Sequence, residues 1–275
     1  MSKENKGNTL TVDLITAAAI GALFAAIQIT FHESVHAITC ALLGDDLLVL
    51  SALHVECLNQ STLTGKIVAI SAPIANIVLG LILLAYLRRS ADRSSLTKLL
   101  VWMFMLMNFM AGTGYFLFSG VANIGDVAVL IEGWEPHWLW RVLSAILGIA
   151  SFMYTIYLSL VEMGKFIGGS ELQEQVGRLN RITISAYVGA ILVAVAAGFM
   201  NPEGGITGFP AVFGIIGVAG GSSALAWMAQ WFRAEMFQKV EVAGGLALQR
   251  NWGLIGAGVI VTLIYALVLG PGITF

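Results

Sequence analysis

A short segment near the end of the first apolar stretch has the residue types and the spacing of a hydrolytic metal site. It reads His32-Glu33-Ser34-Val35-His36. Side chains four positions apart lie on the same face of a helix, so both imidazoles can reach one metal ion. Glu33 is then close enough to take a proton from a water molecule held there. Two histidine ligands with a carboxylate base is the arrangement that zinc enzymes use for hydrolysis.

The composition places this segment in a membrane protein. Hydrophobic residues make up 58% of the 275 residues and charged residues only 11%, whereas soluble proteins have about 25% charged residues. A formal net charge of −2 gives no reason to expect a nucleic-acid partner. The alternative for the motif is a pair of hydrogen-bonded core histidines. Because three ionisable groups within five membrane residues are costly, we favour a functional site.

Apolar stretches predict an all-α, polytopic transmembrane bundle. A bilayer core needs about 20 apolar residues per helix, which gives about seven spans, with six as the alternative. We expect them at about 12–43, 67–87, 99–119, 138–160, 182–200, 212–232 and 252–269. The segment 170–181 carries Leu172, Val176 and Leu179 on one helical face. We expect it to lie along the cytosolic interface or to form a solvated linker helix.

Basic residues predict the orientation of these spans. With the N-terminus in the cytosol, only Lys66 and Arg141 among the 14 lysines and arginines lie outside, as the positive-inside rule requires. An odd number of spans places the C-terminus outside and the metal site toward the outer leaflet. The sequence thus predicts a multi-pass integral protein, of the cell membrane in a prokaryote. We divide it into a polar cytosolic N-terminus (1–11), a catalytic core (12–137) and an accessory four-span bundle (138–275).

A catalytic zinc ion needs a third protein ligand and an open position. We choose Asp126, which follows the third span by a few residues and has no other charge between 121 and 131. Gly120 and Gly125 allow the chain to bend back toward the first span. Three further candidates lie beside a tryptophan cluster, where we expect the headgroup region: Glu132, Glu135 and His137.

Three other residues near the first outer loop are given lesser roles. Cys40 lies on the face of the two histidines, but on a straight helix its Cα is about 12 Å from that of His32, too far to share one ion. We expect Cys40 to pack, and two cysteines alone predict no disulfide framework. His54 and Glu56 are expected to lie in a solvated loop, although they could cap the site.

Two elements in the correct order resemble the site-2 protease family of intramembrane zinc metalloproteases. They are Phe31–Ala37, which contains H-E-x-x-H, and Ser71–Asn76, which reads S-A-P-I-A-N. Members carry H-E-x-x-H on one transmembrane helix, A/G-P-x-x-N on a following one and a ligand aspartate further on. Asn123 stands only three positions before Asp126, with no proline between them and no glycine after, so the chain is similar to the compact, variant branch. Members usually hold the metal nearer the cytosol, whereas the charges here place it nearer the outside.

The resemblance implies a Zn²⁺-dependent endopeptidase that hydrolyses a peptide bond in or next to a membrane-spanning segment. It implies zinc on His32, His36 and Asp126, with Glu33 as general base and Asn76 as a donor to the developing oxyanion; Asn76 could instead make an interhelical hydrogen bond. The expected partners are a membrane-protein substrate and the lipid bilayer, while a regulatory partner and the oligomeric state stay open. Two alternatives are a non-proteolytic metal-binding protein (pseudoprotease or chaperone), against which the intact Glu33 argues, and, less favoured, a transporter.

Overall fold

The protein is an all-α bundle with one small sheet, as seen in a computed structural model that describes residues 11–90, 92–236 and 245–275. Most of the predicted polar N-terminus therefore lies outside the described residues. The helices are α1 (Leu14–Leu42), α2 (Thr62–Arg89), α3 (Ser95–Ala122), α4 (Asp126–Ile131), α5 (His137–Gly164), α6 (Leu172–Phe199), α7 (Phe209–Gly221), α8 (Ala224–Trp227) and α9 (Trp252–Ile264), which continues as a π-helical turn at Tyr265–Leu269. Short 3-10 turns lie at Gly205–Thr207, Met228–Trp231 and Ala234–Met236.

The predicted membrane spans are confirmed in number. Within the described parts of the chain, six helices are long and apolar enough to cross a membrane: α1, α2, α3, α5, α6 and the stretch Trp252–Leu269. Phe209–Gly221 and Ala224–Trp231 form a bent pair that makes a seventh crossing if it is counted as one span.

Helices α1, α2 and α9 begin at residues whose side chains satisfy free N–H groups of the first turn. Asp13 accepts a hydrogen bond from the backbone of Thr16 at the start of α1, and Ser61 forms a capping box with Thr64 at the start of α2. Asn251 caps α9 in the same way. These polar residues therefore mark the N-terminal ends of the three helices.

Small residues let the helices around α1 approach at backbone distance. A Cβ atom on Gly21 would lie 2.1 Å from the carbonyl oxygen of Ala186, and one on Gly189 would lie 2.0 Å from that of Ala18. Gly112 does the same between α3 and α2, where a Cβ would lie 2.7 Å from the carbonyl oxygen of Pro73. This close packing is typical of membrane bundles and holds α1, α2, α3 and α6 at fixed separations.

A three-stranded antiparallel sheet, which the sequence did not predict, covers one end of the bundle. Its strands are β1 (Asp46–Leu50), β2 (Val55–Leu58) and β3 (Ile273–Thr274), in the order β2-β1-β3. Leu50 pairs with Val55 on one side and with Ile273 on the other. The β1–β2 hairpin follows α1 directly, so the C-terminus lies at the end of the bundle where α1 finishes.

The two ends of the described chain lie at opposite ends of the bundle. Val12, just before α1, forms a parallel bridge with Leu248, whereas Ile273 pairs with β1 at the far end of α1. The bent pair α7–α8 runs between these ends, because Gly214 packs against Leu53 of the hairpin and Met236 packs against Gly164 at the end of α5. A chain whose two ends lie at opposite ends of the bundle crosses it an odd number of times, which agrees with seven spans.

Residues 170–181 do not form a separate linker helix, because α6 begins at Leu172 and continues without a break to Phe199. The expected interfacial position of this segment stays a prediction. Leu179 is fully buried, and Gln175 and Arg178 are buried beside it. The polar residues in this turn of helix therefore belong to the packed base of the fifth span.

Candidate metal centre

The two histidines of the motif lie on the buried face of α1. His32 is 2% exposed and His36 is 7% exposed, and their rings meet edge to face with centroids 4.8 Å apart. The helical spacing therefore places both imidazoles on one face, as the sequence predicts. Six residues of α1 follow His36, so the pair lies inside the span but close to its hairpin end.

Asp126 reaches these histidines because the chain reverses sharply after α3. Asn123 ends α3 in the left-handed region with φ 58°, and Gly125 has φ 84°, which a residue with a Cβ rarely adopts. Helix α4 then starts with Asp126, whose Oδ2 lies 3.1 Å from Nε2 of His32 and 3.3 Å from Nε2 of His36. The structure thus brings together the three residues that the sequence selects as ligands.

The three alternative candidates for the third ligand lie elsewhere. His137 makes a hydrogen bond through Nε2 with the Asn123 side chain at 2.9 Å, and Glu135 accepts from the backbone of His137. Glu132 is exposed at the end of α4. None of the three belongs to the group of potential ligand atoms around His32.

A chain of buried side-chain amides fixes the protonation of His32. Asn108 donates from Nδ2 to the carbonyl oxygen of Phe104, so its Oδ1 accepts from Nδ2 of Asn76 at 2.8 Å. The Oδ1 of Asn76 is then left to accept, and it lies 2.6 Å from Nδ1 of His32. Nδ1 of His32 therefore carries a proton, and in the neutral imidazole its Nε2 presents a lone pair to Asp126.

A backbone carbonyl places a proton on Nδ1 of His36 in the same way. Its Nδ1 lies 2.7 Å from the carbonyl oxygen of Val68 in α2, which can only accept. In the neutral imidazole, Nε2 of His36 therefore also presents a lone pair to Asp126. Two such lone pairs and a carboxylate at this distance repel one another, and a proton or a metal cation between them removes the repulsion.

The distances fit a metal ion of the size of zinc. Ligand atoms that are each about 2.0 Å from a tetrahedral zinc ion lie about 3.3 Å from one another. The two measured separations from Asp126 are 3.1 and 3.3 Å, and all three potential ligand atoms lie within 4.8 Å of one another. The residues present therefore fit a zinc-class ion held by two histidines and one carboxylate.

Asp126 is held in its charged form. Burial raises its pKa, but in the absence of an ion the hydrogen bonds that protonated His32 and His36 donate to it, together with their charge, outweigh burial and hold its pKa well below the usual range. A ligand carboxylate must be deprotonated, and a cation that binds here takes the place of these protons.

Glu33 is buried beside the three potential ligands but does not join them. It is 5% exposed and lies within electrostatic range of His32, His36 and Asp126. The group of ligand atoms found within 4.8 Å of one another in the described chain does not include its carboxylate. A carboxylate near a metal site but outside its ligands is placed for proton transfer.

Asn76 makes interhelical hydrogen bonds, which is one of the two roles expected for it. Its Oδ1 accepts from His32 and its Nδ2 donates to Asn108, and it is fully buried. Both of its polar atoms are therefore used in orienting His32. The structure gives Asn76 a positioning role and does not place it at an open coordination position.

Two aromatic residues near the site were missed in the sequence. Tyr115 of α3 stacks on the ring of His32, with centroids 4.8 Å apart and planes 7° from parallel. Tyr265, in the π-helical turn after α9, donates its hydroxyl to the carbonyl of Ala52 in the hairpin turn. Aromatic residues are common in apolar spans, so neither carried a signal that distinguishes it from ordinary core packing.

The expectations that Cys40 only packs and that the chain has no disulfide are wrong. Cys40 and Cys57 form a disulfide with an S–S distance of 2.03 Å and Cα atoms 6.1 Å apart. The β1–β2 hairpin turns back over the end of α1 and brings β2 next to the helix. The loop that was expected to be solvated is therefore bonded to the helix that carries His32 and His36.

His54 and Glu56, which were considered as caps, lie in and after the hairpin turn and do not join the His32 group. His54 lies within electrostatic range of Glu33, and it belongs to a separate group with Glu56 and Glu203.

Comparisons of the chain with models of known families, with curated proteins and with solved structures gave no match. The function is therefore argued from the geometry of this centre.

Proposed function

We propose that the protein is an intramembrane zinc metalloprotease that hydrolyses a peptide bond in or next to a transmembrane segment of a membrane-protein substrate. The observation that carries the proposal is the convergence of two histidine Nε2 atoms, each with its Nδ1 hydrogen-bonded elsewhere, and one carboxylate within a helix bundle long and apolar enough to span a membrane. A buried carboxylate, Glu33, accompanies them. This combination has the ligands and the base of a hydrolytic zinc site.

His32, His36 and Asp126 would hold the ion. Zinc, when bound, supplies Lewis acidity, which makes water more acidic and polarises a carbonyl group. Glu33 accepts the proton of the attacking water and passes it to the nitrogen of the departing amine. Asn76 and the Val68 carbonyl keep both imidazoles in the tautomer that presents Nε2. Tyr115 covers one face of His32 and excludes water from it.

The depth of the centre supports a membrane substrate. Both histidines and Glu33 are buried in α1, which is long and apolar enough to span a membrane. A soluble polypeptide would have to leave water to reach them, whereas a substrate that already lies in the bilayer does not. The location of these residues therefore supports a substrate that lies in the bilayer.

We infer that the hairpin end of the bundle faces the outside of the cell. The basic residues that flank the spans favour this orientation. The Cys40–Cys57 disulfide supports it independently, because disulfides persist in oxidising compartments and are rare in the cytosol. The metal centre lies near this end, so the two arguments agree on the side from which it is reached.

A metal-binding protein without hydrolytic activity is the second candidate. Glu33 separates the two functions, since a binding site has no need of a buried carboxylate that is not a ligand. The test compares cells that express the wild type with cells that express Glu33→Gln and measures new protein N-termini in their membrane fractions by mass spectrometry. We expect termini within or next to transmembrane segments only with the wild type. Identical sets of termini from both would contradict the protease.

A further inference from the structure

A second group of potential metal ligands lies at the hairpin end of the bundle, apart from the centre in α1. It consists of His54 in the hairpin, Glu56 in β2 and Glu203 in the segment between α6 and α7, and one ligand atom of each lies within 4.8 Å of the others. The three residues come from parts of the chain almost 150 positions apart. His54 is partly buried, and the two glutamates are exposed.

Hydrogen bonding fixes which nitrogen of His54 faces the carboxylates. The hydroxyl of Ser51 donates its single proton to the carbonyl oxygen of His54 at 2.7 Å. The same hydroxyl oxygen lies 3.1 Å from Nδ1 of His54, so Nδ1 must donate to it. In the neutral imidazole, Nε2 of His54 is then left with a lone pair, and it lies 3.6 Å from Oε1 of Glu56.

This arrangement is unfavourable without a cation. A nitrogen lone pair and two carboxylates face one another, and the described basic residues at this end of the bundle are engaged elsewhere. Lys66 donates to the backbone oxygen of Glu132, and Arg141 donates to the backbone oxygens of Gly120 and Val121. A divalent ion, or a proton on His54, would remove the repulsion.

The backbone around the group is held in place. Ser51 also accepts from the backbone N–H of His54, and Asn201 accepts from the backbone N–H of Glu203 at 2.7 Å. The hairpin is bonded to α1 by the disulfide and to the C-terminal turn by the Ala52–Leu269 hydrogen bond of 2.7 Å. An ion would therefore find ligands on two restrained segments.

We propose that His54, Glu56 and Glu203 form a second divalent-cation site of the zinc class. One imidazole nitrogen and two carboxylate oxygens suit zinc and similar ions, and water would complete the coordination. The bound ion would tie the hairpin, which lies over the α1 centre, to the segment that joins α6 and α7. Because the site is more exposed than the α1 centre, it binds more weakly. It does not depend on the hydrolytic activity proposed above.

The test is a titration of the chelator-stripped, detergent-solubilised full chain with Zn²⁺ alone, by calorimetry. We expect two classes of site in the wild type. His54→Ala and Glu203→Gln lose the weaker class and keep the tighter one, whereas Asp126→Ala loses the tighter class and keeps the weaker one. Asp46→Asn, which removes an exposed carboxylate from β1 of the same hairpin, is the matched control and keeps both.

Retention of the tighter class in His54→Ala shows that this variant is folded, so a loss of the weaker class reports on the ligand itself. Ser51→Ala should weaken the second class at least tenfold without abolishing it, because the imidazole loses its orienting partner. A wild type with a single class of site would overturn the proposal and leave His54 sharing only a proton with the carboxylates. Unchanged weak binding in His54→Ala and Glu203→Gln would overturn it as well.

Discussion

His32 and Asn76 are joined by a buried hydrogen bond of 2.6 Å between Nδ1 and Oδ1, which links the H-E-x-x-H helix to the next helix in the chain. Asn108 of α3 sets the direction of this hydrogen bond. Its Nδ2 donates to the backbone carbonyl of Phe104, so its Oδ1 accepts from Nδ2 of Asn76 and leaves Oδ1 of Asn76 to accept from His32. The orientation of one ligand is therefore determined by contacts among α1, α2 and α3. This arrangement leads to a first prediction about residues that do not touch the ion.

Asn76→Leu should weaken zinc binding at the α1 centre by about 10–100-fold, because His32 loses the acceptor that fixes its tautomer and ring orientation. Asn108→Leu should act in the same direction with a smaller effect, since Asn76 itself remains. Competition with a calibrated chelator measures both affinities. Asn59→Ala, at an exposed asparagine of the hairpin loop, is the control and should bind zinc like the wild type. Equal affinities in all four proteins would show that the amide chain does not orient the ligand.

Asp126→Ala should remove zinc from the α1 centre, because Asp126 supplies the only carboxylate oxygen within ligand distance of both histidines among the described residues. The matched variants Glu132→Ala, Glu135→Ala and His137→Ala change the other ionisable residues of the same segment and should retain the metal. Elemental analysis of the purified proteins, after dialysis that removes weakly bound ions, checks the result. Full zinc content in Asp126→Ala would mean that another residue is the third ligand.

Topology gives a prediction that is independent of the metal. Glu135→Cys, in the exposed loop before α5, should react with a membrane-impermeant maleimide on intact cells. Arg93→Cys, in the exposed loop between α2 and α3, should react only after the membrane is permeabilised. Both positions are exposed, so the difference reports the side of the membrane. The reverse pattern would place the hairpin in the cytosol and refute the charge and disulfide arguments together.

Asp13 gives a prediction about pH. It accepts hydrogen bonds from the backbone and hydroxyl of Thr16 and pairs with Arg250, and its pKa is lowered, mainly by the backbone hydrogen bond. Because the pKa is lower in the folded protein, the stabilisation is present above the usual Asp pKa of about 3.9 and is lost as the pH falls through the folded value. Asp13→Ala should therefore lower the Tm at neutral pH.

The difference in Tm between the wild type and Asp13→Ala should shrink on acidification below about pH 4. Asp13→Asn keeps a helix-capping oxygen and loses the ion pair with Arg250, so it should fall between the two. Thermal unfolding in the same detergent at several pH values measures all three proteins. A difference in Tm that does not change with pH would show that the charge of Asp13 does not contribute.

The ligands were accessible to sequence reasoning because each carries a local signal. His32 and His36 are related by the helical period, and Asp126 is a lone carboxylate in an uncharged segment beside two glycines that allow a reversal. The number of spans follows in the same way from the length of apolar stretches. These signals depend only on neighbouring residues, so no knowledge of the tertiary structure is needed.

The features that were missed depend on partners far apart in the chain. Strand β3 has two residues and pairs with β1 more than 200 positions earlier, so no alternation pattern marks the sheet. The Cys40–Cys57 disulfide requires that hairpin to fold back over α1. A single asparagine in an apolar helix gives no sign of its partner, so the contact between Asn108 and Asn76 was also hidden. Local patterns predicted that His32, His36 and Asp126 come together, whereas the residues that orient and cover them became visible only in three dimensions.

Glu33→Gln tests the central claim most directly, since it removes the proposed base and leaves the ligands in place. The purified variant and the wild type are reconstituted in vesicles with a substrate identified from the membrane-fraction experiment, and zinc content and cleavage rate are measured on the same samples. We predict wild-type zinc content with a rate lower by about 10²–10⁴-fold. A variant that keeps its zinc and cleaves at the wild-type rate would contradict the account.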